Sequence, residues 1–310
     1  MYKALVIGCG NIGAGYDFDN EQVLTHAKAL SLNKKFSLTV YDTDRVLAKK
    51  VKEKYSCETI EEIDVDSLLN FDCVSICSPT GTHYKYLSEA IDAKIKVIIC
   101  EKPVSSKTDE LPELVQMYKA GVSKIMVNYT RRFQPAYAEL KKIVENLMKQ
   151  EKLTNISIKY QRGFINNCSH AADLFEFLTD KKFELTNVRK SNLVTDHFEN
   201  DPTLSLTANL WKTNINVLGL SNVMFPYFDI DFYFESTKIE IKELGRTIEV
   251  LKADERFSIL SSKQIFKNCM KDNMVHVISK AEELLNGKNA QDNFISSVEL
   301  NQRMLNYLNN

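Results

Sequence analysis

The chain has 310 residues, which is enough for about two domains that each bury a core of their own. Apolar residues make up 44% of the sequence and charged residues 26%, which is typical of a folded globular protein and excludes a largely disordered chain. The 40 basic and 41 acidic side chains give a net charge of −1, which argues against nucleic acid as the main partner, because proteins that hold a phosphate backbone carry a positive excess.

The first half of the sequence alternates short apolar runs with segments of helical spacing. Strands separated by helices of about 10–15 residues indicate β-α-β units and a parallel sheet. The predicted strands are 2–7, 36–42, 72–78, 97–100 and 125–128, and the predicted helices are 45–55, 81–93 and 108–120, the last with Gly121 as a left-handed cap.

The second half changes to strict alternation of apolar and polar residues. In the run 228–235 the apolar side chains point to one face and the polar ones to the other, which indicates a half-buried antiparallel sheet. We therefore predict a parallel-sheet α/β domain over 1–127, followed by an α+β domain over 128–310 with a large, mostly antiparallel open sheet. Further strands are predicted at 204–211, 214–220, 238–242 and 247–251, and amphipathic helices at 274–286 and 295–308.

A glycine-rich turn follows the first predicted strand and is predicted to open a helix. Gly8, Gly10 and Gly13 form a Gly-x-Gly-x-x-Gly sequence. Its first glycine permits a tight turn, its second lets the backbone approach a pyrophosphate, and its third lets a helix pack on the strand. Asp42 ends the second strand, where a carboxylate accepts hydrogen bonds from the adenosine ribose and repels a 2′-phosphate. The pattern predicts a dinucleotide site that prefers NAD to NADP.

Residues 15–26 lengthen the interval between the glycine loop and Asp42 beyond the usual spacing of about 20 residues. This polar and aromatic insert lies next to the pyrophosphate loop. Two interpretations are open: the insert is a lid or a part of the substrate pocket, or it is a surface loop without a role in binding.

The cysteines are scattered over the chain without a Cys-x-x-Cys pair, and several lie within apolar runs. This predicts buried free thiols in a reducing compartment rather than disulfides or a metal site. The sequence has no apolar run of about 18 residues, and its short amino-terminal apolar run is unlike a signal peptide. We therefore expect a cytoplasmic protein without a metal or a membrane partner. The cysteines are Cys9, Cys57, Cys73, Cys77, Cys100, Cys168 and Cys269.

Six short motifs occur in order along the chain. They are Gly-Cys-Gly-Asn-Ile-Gly at 8–13, Thr-His-Ala-Lys-Ala-Leu at 25–30, Val-Tyr-Asp at 40–42, Ser-Pro-Thr-Gly-Thr-His at 78–83, Glu-Lys-Pro at 101–103 and Asn-Tyr-Thr-Arg-Arg-Phe at 128–133. Together they resemble the glucose–fructose oxidoreductase/inositol dehydrogenase (Gfo/Idh/MocA) family of NAD(P)-dependent oxidoreductases. The resemblance is specific over the first 135 residues, and beyond them it depends on the architecture and on the segment 166–174.

The resemblance implies where the cofactor binds and suggests one catalytic residue. Lys102 would lie near the nicotinamide, where its ammonium can stabilise a developing alkoxide and join a proton relay. The cofactor-binding residues implied are Gly8, Gly10, Asn11, Ile12 and Gly13 at the pyrophosphate; Asp42 at the adenosine ribose; Ser78, Pro79, Thr80 and His83 beside the adenosine and nicotinamide ribose; and Glu101 and Lys102 near the nicotinamide.

His170 is the second catalytic candidate. Asn166 or Asn167 is predicted to cap a helix that runs to about residue 179, which places His170 in the first turn. The positive end of the helix and the nearby Lys102 are expected to lower the pKa of His170, so that its neutral imidazole accepts the alcohol proton.

The segment before His170 departs from the common family pattern. Many sugar dehydrogenases of the family have Asp four residues before this His and Gly two residues before it, whereas this chain has Asn166 and Cys168. Asn166 can orient a hydroxyl but cannot take a proton. This leaves Lys102 and His170 as the predicted acid–base pair, with Asn166 beside them.

The residues and the resemblance together favour an NAD-dependent oxidoreductase. It would transfer hydride between nicotinamide and a secondary hydroxyl or keto group of a sugar or sugar derivative, including a nucleotide-linked sugar of a surface-polysaccharide pathway. Two alternatives stay open: an NAD-dependent glycosidase with a transient redox step, and a catalytically silent NAD-binding regulatory protein. The expected partners are a small sugar-like substrate and further copies of the chain in a homodimer or homotetramer.

Overall fold

The computed structural model describes residues 1–256, 260–267, 270–288 and 291–309. Within these ranges, six parallel strands form a first sheet in the order β3-β2-β1-β4-β5-β6. β4 and β5 are buried along their whole length, as expected for parallel strands that helices cover on both faces. The predicted parallel sheet is confirmed. Its strands are β1 (Tyr2–Ile7), β2 (Phe36–Tyr41), β3 (Glu58–Thr59), β4 (Cys73–Ile76), β5 (Val97–Cys100) and β6 (Lys124–Val127), and the helices between them are α1 (His26–Leu32), α2 (Arg45–Tyr55), α3 (Val65–Leu68), α4 (His83–Asp92) and α5 (Glu110–Ala120).

A second sheet has eight strands within the described ranges, in the order β14-β13-β12-β11-β7-β10-β9-β8. All neighbours are antiparallel except β7 and β10, so the predicted, mostly antiparallel sheet is confirmed. The sequence pattern misses β7, β8 and β14. The elements of this part are α6 (Pro135–Gln150), β7 (Leu153–Tyr160), α7 (Ser169–Thr179), β8 (Leu185–Val194), β9 (Thr203–Leu210), β10 (Thr213–Gly219), β11 (Phe228–Phe234), β12 (Thr237–Lys242), β13 (Thr247–Ala253) and β14 (Leu260–Lys267).

The described chain ends with two helices, α8 (Asn273–Leu285) and α9 (Phe294–Asn309). α8 packs against α1 and β5 of the first sheet. Just before α9, Asn293 covers the outer edge of β6. Its Oδ1 accepts a hydrogen bond from the Val127 N–H, and its Nδ2 donates to the Val127 carbonyl oxygen, both at 2.9 Å.

The contacts between residues over the whole fold divide the chain into two compact units. The first unit consists of Met1–Thr130 and Lys271–Gln302, and the second of Arg131–Met270 and Arg303–Asn310. The sequence-based division after residue 127 assigns the whole remainder to the second domain. The structure differs at the carboxyl end, where the apolar faces of α8 and the first part of α9 are buried in the first unit.

The cap of α5 also differs from its prediction. Gly121 has φ −90° and ψ −175°, which is extended backbone, so the predicted left-handed cap is wrong. Its N–H closes the helix by donating to the carbonyl oxygens of Met117 at 2.9 Å and Tyr118 at 3.3 Å. The chain therefore leaves α5 directly in an extended conformation, and no left-handed residue is needed.

One face of the second sheet is covered and the other is open and polar. Along β11 the residues alternate between buried and half-buried, as predicted. On the open face, four asparagine side chains form a row across β8, β9, β10 and β7. Three of the four donate an Nδ2 hydrogen bond to the Oδ1 of the next asparagine, at 3.0, 3.1 and 3.3 Å. This asparagine row, which comprises Asn187, Asn209, Asn214 and Asn155, lines a shallow depression of about 770 Å³.

Six of the cysteines lie within the described ranges, and all six are buried free thiols, as predicted. Burial raises the pKa of Cys9 and that of Cys73 to about 12. Cys269 lies outside the described residues. None of the helices in the described part of the chain has the length and apolar content that a bilayer crossing requires.

Candidate active site

The glycine loop follows β1 at the carboxyl edge of the first sheet, where β1 and β4 are neighbours. Gly8 has φ +97°, and a Cβ atom there would lie 2.7 Å from the backbone nitrogen of Ser78. A Cβ atom at Gly13 would lie 1.9 Å from the carbonyl oxygen of Gly8, so neither position accepts a side chain. No described atom lies within 4 Å of the Cβ position at Gly10. The loop thus combines the tight turn, the close packing and the exposed backbone that a pyrophosphate contact requires.

The helix that the glycine loop is predicted to open is a single turn in the structure. Asn11–Gly15 form one π-helical turn, in which the amides of Ala14 and Gly15 both donate to the carbonyl oxygen of Gly10, at 2.9 and 3.0 Å. The amides of Asn11 and Ile12 belong to this first turn, where a helix supplies no acceptor of its own. α1 begins only after the insert.

The insert, residues 15–26, is tied to the start of α1 by one buried carboxylate. Asp17 is fully buried. Its Oδ2 accepts from the backbone amides of Leu24 at 2.5 Å and Thr25 at 2.9 Å, and its Oδ1 accepts from the Thr25 hydroxyl at 2.7 Å. The Lys28 ammonium donates to the Asp17 carbonyl oxygen at 3.1 Å. So many hydrogen bonds hold the loop in one conformation, which argues against a freely moving lid.

The carboxylate of Asp42 lies against the glycine loop. Its Oδ2 accepts a hydrogen bond from the Cys9 N–H at 2.7 Å, and its Oδ1 accepts one from the Asp44 N–H at 2.8 Å. Asp42 is half-buried directly after β2. The carboxylate is thereby fixed beside the loop, at the place where the resemblance implies the adenosine ribose.

His83 connects two turns at the same edge of the sheet. Its Nδ1 lies 2.8 Å from the Pro103 carbonyl oxygen, and its Nε2 lies 2.8 Å from the Ser78 carbonyl oxygen. Burial lowers the pKa of His83, so the neutral ring carries one N–H and donates to one of the two carbonyls. The ring braces the turn after β4 rather than offering a vacant nitrogen. Of the other residues in this turn, Ser78 and Thr80 are half-buried and Pro79 is exposed.

Glu101 and Lys102 follow β5 directly, and the peptide bond between Lys102 and Pro103 is cis. Glu101 is buried, and its Oε1 lies 2.9 Å from Nε2 of His26 and 2.6 Å from Nδ2 of Asn128. Lys102 is half-buried. The sequence singles out Glu101 and Lys102 by their motif but gives His26 and Asn128 no role.

In the second unit, the helical segment of Asn166 and His170 begins earlier than predicted. Phe164–Cys168 form a π-helical turn that leads into α7. His170 lies in the first turn of α7, as predicted, but the predicted caps are wrong. The N-cap residue of α7 is Cys168, and the Asn167 amide donates instead to two backbone carbonyl oxygens that precede the turn.

Asp201, in the loop between β8 and β9, supplies the cap of this segment. Its Oδ1 accepts from the Ile165 N–H and its Oδ2 from the Asn166 N–H, both at 2.7 Å. Gly163 makes room for it, because a Cβ atom there would lie 2.2 Å from Oδ2. A carboxylate at this position offsets the positive end of the helix. The helix therefore does not present His170 with the uncompensated positive field that the prediction assumes.

A buried ion pair fixes α7 one turn after His170. Oδ1 of Asp173 lies 2.6 Å from an Arg132 nitrogen, and Oδ2 accepts a second bond at 3.1 Å. Burial raises the pKa of Asp173, and the Arg132 guanidinium opposes this rise. The His170 ring meets the Phe228 ring edge-on at 6.4 Å, and the Arg131 guanidinium lies 3.9 Å from the centroid of the same ring. The backbone that carries His170 is thus firmly held.

The structure brings the predicted cofactor residues together within the first unit. The glycine loop, Asp42, the Ser78 turn and Lys102 follow the carboxyl ends of β1, β2, β4 and β5, which lie side by side. Asn166 and His170 belong to the second unit, and their convergence with Lys102 stays a prediction. Sequence reasoning misses Asp201, because it lies 35 residues from Asn166 in a loop without a motif.

The groups at this edge suit a dinucleotide. The open space at Gly10 and the first-turn amides suit a pyrophosphate, and the Asp42 carboxylate suits a ribose with two hydroxyls. No group of three or more His, Cys, Asp or Glu side chains within the described ranges is arranged to hold a metal ion.

Comparison with known proteins relates the first sheet to NAD-binding oxidoreductases. Residues 2–129 match the family model described as "Oxidoreductase family, NAD-binding Rossmann fold". The uncharacterized oxidoreductase YrbE of Bacillus subtilis is 35% identical over 147 residues, which cover 46% of this chain and 39% of that protein. The inositol 2-dehydrogenase of Rhizobium meliloti is 29% identical over 143 residues, which cover 46% of this chain and 40% of that protein. The chain thus spans about two fifths of the length of these relatives.

The likeness in fold extends over both sheets. The structure of UDP-N-acetylglucosamine 3-dehydrogenase GnnA from Acidithiobacillus ferrooxidans matches with a TM-score of 0.75 at 17% identity, and the match covers 99% of this chain and 95% of that one. At this identity the match shows a shared fold. Together with the family model, it shows that residues 2–129 are similar to the oxidoreductases of the Gfo/Idh/MocA family, which have an NAD-binding Rossmann fold.

Proposed function

We propose that the protein is an NAD-dependent oxidoreductase that acts on a secondary hydroxyl or keto group of a sugar or sugar derivative. The observation that carries this proposal is the edge of the first sheet, where an open glycine loop, the Asp42 carboxylate and Lys102 follow neighbouring strands. The similarity to an inositol dehydrogenase and to a nucleotide-sugar dehydrogenase supports a ring hydroxyl as the reacting group. We include nucleotide-linked sugars among the candidate substrates.

Each residue has a distinct role in this proposal. The backbone of residues 8–13 holds the pyrophosphate, and Asp42 holds the adenosine ribose. The Lys102 ammonium binds the substrate oxygen and stabilises the negative charge that develops there. His170 accepts the hydroxyl proton on a neutral imidazole nitrogen, and the Asn166 amide orients the same hydroxyl. Bound NAD supplies the hydride acceptor.

A substrate panel tests this proposal. Sugars, inositols and nucleotide sugars are incubated with NAD and, in parallel, with NADP, while the absorbance of the reduced cofactor is followed. We expect free NADH to accumulate in proportion to an oxidised sugar, and Lys102→Met to bind NAD without this turnover. Cleavage of a glycoside without net NADH would favour the glycosidase alternative. NAD binding with neither reaction would favour a regulatory protein.

We also propose that the protein forms a homodimer or homotetramer through the open face of the second sheet. The asparagine row supports this proposal, because each primary amide offers both donors and acceptors and can pair with its own copy across a two-fold axis. The shallow depression along the row leaves a broad surface for such pairing.

A further inference from the structure

Three polar side chains from separate segments of the first unit meet in its interior. His26 at the start of α1 is 0% exposed, Asn128 after β6 is 1% exposed, and Glu101 after β5 is 8% exposed. Oε1 of Glu101 is their common point, at 2.9 Å from Nε2 of His26 and 2.6 Å from Nδ2 of Asn128. Burying polar groups is costly unless they are paired, so this cluster calls for a reason beyond packing.

The hydrogen bonds define the protonation of the cluster. The Asn128 amide nitrogen can only donate, so Oε1 of Glu101 is an acceptor. Nδ1 of His26 is buried, and no partner for it occurs among the described residues. A proton on that nitrogen would be a buried donor without an acceptor, whereas a bare lone pair costs less. The hydrogen bond therefore places a proton on Nε2 of His26, which donates it to Glu101. Both neighbours thus stabilise the ionised carboxylate.

The groups around Glu101 also favour its ionised form. Burial alone would raise the pKa of Glu101, but the hydrogen bonds from His26 and Asn128 and the Lys102 ammonium hold it below its ordinary value. The other ionisable groups that act on or near this carboxylate are neutral at pH 7, because burial lowers the pKa of His83 and raises the pKa of Cys77 and of Cys100. The Lys102 ammonium, on the next residue of the chain, acts on the Glu101 carboxylate as a positive charge.

We propose that His26 and Asn128 are positioning residues, which hold Glu101 ionised beside Lys102 so that the carboxylate keeps the Lys102 amine in its charged form. For its catalytic meaning this inference rests on the proposed function, in which the ammonium binds the substrate oxygen. It also assigns a purpose to the Thr-His-Ala motif: Thr25 caps α1 by accepting from the Lys28 N–H, and this cap places His26 in the first turn, where it faces the interior.

The test measures the titration of Lys102 without substrate or cofactor. The folded protein is labelled briefly with trace acetic anhydride over a range of pH, and the acetylation of the peptide that contains Lys102 is quantified by mass spectrometry. Lys102 is half-buried, which leaves it accessible to a small reagent. Because only the neutral amine reacts, the pH dependence of labelling gives the midpoint of this one lysine.

Two variants of His26 form a matched pair. In His26→Gln the amide nitrogen takes the place of Nε2 and keeps a donor to Glu101, whereas in His26→Asn it falls short. Glu101→Gln removes the negative charge completely, so its shift of the Lys102 midpoint is the reference for the partial shifts of the other variants. We expect Glu101→Gln to lower the Lys102 midpoint by roughly 1–3 pH units, the range for losing a nearby opposite charge. His26→Asn and Asn128→Leu should shift it part of the way, and His26→Gln should titrate like the parent.

The outcomes separate positioning from simple stabilisation. If His26→Asn and Glu101→Gln melt at lower temperature but leave the Lys102 midpoint unchanged, the cluster only supports the fold and the inference is wrong. If one of these variants fails to fold, His26→Gln is compared with the parent instead. Because His26→Gln keeps the donor to Glu101, a large shift of its Lys102 midpoint would also overturn the inference. A shifted midpoint in a protein that oxidises no sugar would count against the proposed function alone. Sugar oxidation with an unshifted midpoint would count against this inference alone.

Discussion

The carboxylate of Asp42 accepts a hydrogen bond from the backbone N–H of Cys9, with 2.7 Å between Oδ2 and the nitrogen. This bond joins the end of β2 to the glycine loop. The group proposed to bind the ribose and the loop proposed to bind the pyrophosphate are therefore held together before a cofactor arrives. Such preorganisation lowers the entropic cost of ordering the site when the cofactor binds.

The first prediction concerns the choice of cofactor. The parent protein should bind NAD more tightly than NADP, because Asp42 pairs with ribose hydroxyls and repels a 2′-phosphate. Asp42→Ser should narrow the ratio of the two dissociation constants by about tenfold, as expected for the loss of a charged hydrogen bond. Asp42→Asn is the control that removes the charge and keeps an acceptor. Calorimetric titrations with both cofactors measure the ratio, and equal affinities in the parent would contradict the prediction.

The second prediction concerns the chemistry. Lys102→Met should bind NAD with nearly the parental affinity, because the glycine loop holds the pyrophosphate. Its turnover should fall by roughly 10²–10⁴, the range for losing a positioned acid–base or electrostatic group. His170→Ala should fall in the same range, and the double variant should lose much less than the product of the two, because the pair acts as a unit. Parental turnover in Lys102→Met on the true substrate would show that the active site is assigned wrongly.

The third prediction concerns the open face of the second sheet. A biological interface there should bury at least about 1,000 Å². Light scattering at micromolar concentration should therefore give the mass of a dimer or tetramer. Asn214→Arg places a charge in the middle of the asparagine row and should shift the protein toward monomer, whereas Asn70→Arg, on the exposed surface of the first unit, should not. A parent that is only monomeric would rule out this assembly.

The fourth prediction concerns stability and pH. The Glu151 carboxylate accepts four hydrogen bonds, from the N–H and hydroxyl groups of Ser236 and Thr237, at 2.8–3.1 Å. Burial acts to raise the pKa of Glu151, but these bonds hold it below its ordinary value. A lowered pKa stabilises the folded state at neutral pH, and this contribution is lost as the pH falls through the titration of the carboxylate.

Glu151→Gln should accordingly lower the free energy of unfolding by roughly 1–2 kcal/mol at pH 7. The difference between parent and variant should shrink as the pH falls below about 4, the ordinary pKa of a glutamate carboxyl, toward the lower pKa that Glu151 has in the folded protein. Urea unfolding at both pH values measures the two differences. Glu21→Gln, at an exposed position, is the control and should have little effect at either pH. A difference of the same size at both pH values would contradict the role of the charge.

The periodicity of the sequence predicts the two sheets because it reports burial. β11 alternates between buried and half-buried residues as its sequence alternates, and the continuous apolar run of β5 is buried throughout. The same signal cannot predict where α8 belongs. An amphipathic pattern shows that a helix has an apolar face, but it does not show which surface covers that face, and α8 returns to the first unit.

The candidate site likewise contains residues that the sequence predicts and residues that it does not. The glycine loop is predictable because its chemistry depends on spacing within a few residues. Glu101 is found by a local motif, but its pairing with His26 joins residues 75 positions apart, and no spacing rule connects them. Asp201 carries no local signal at all, because its role arises only when the loop folds onto the start of the helical segment.

The pairing of Asn293 with β6 has a consequence for synthesis on the ribosome. Val127 is made 166 residues before the side chain that completes its hydrogen bonds. At about 5–20 residues per second, this leaves an interval of roughly 8–30 s. During that time the outer edge of the first sheet is an open template for strands of other nascent chains. The cofactor-binding unit is thus completed only after residues 131–270 of the second unit have been made, and a truncation before Asn293 would leave this edge open permanently.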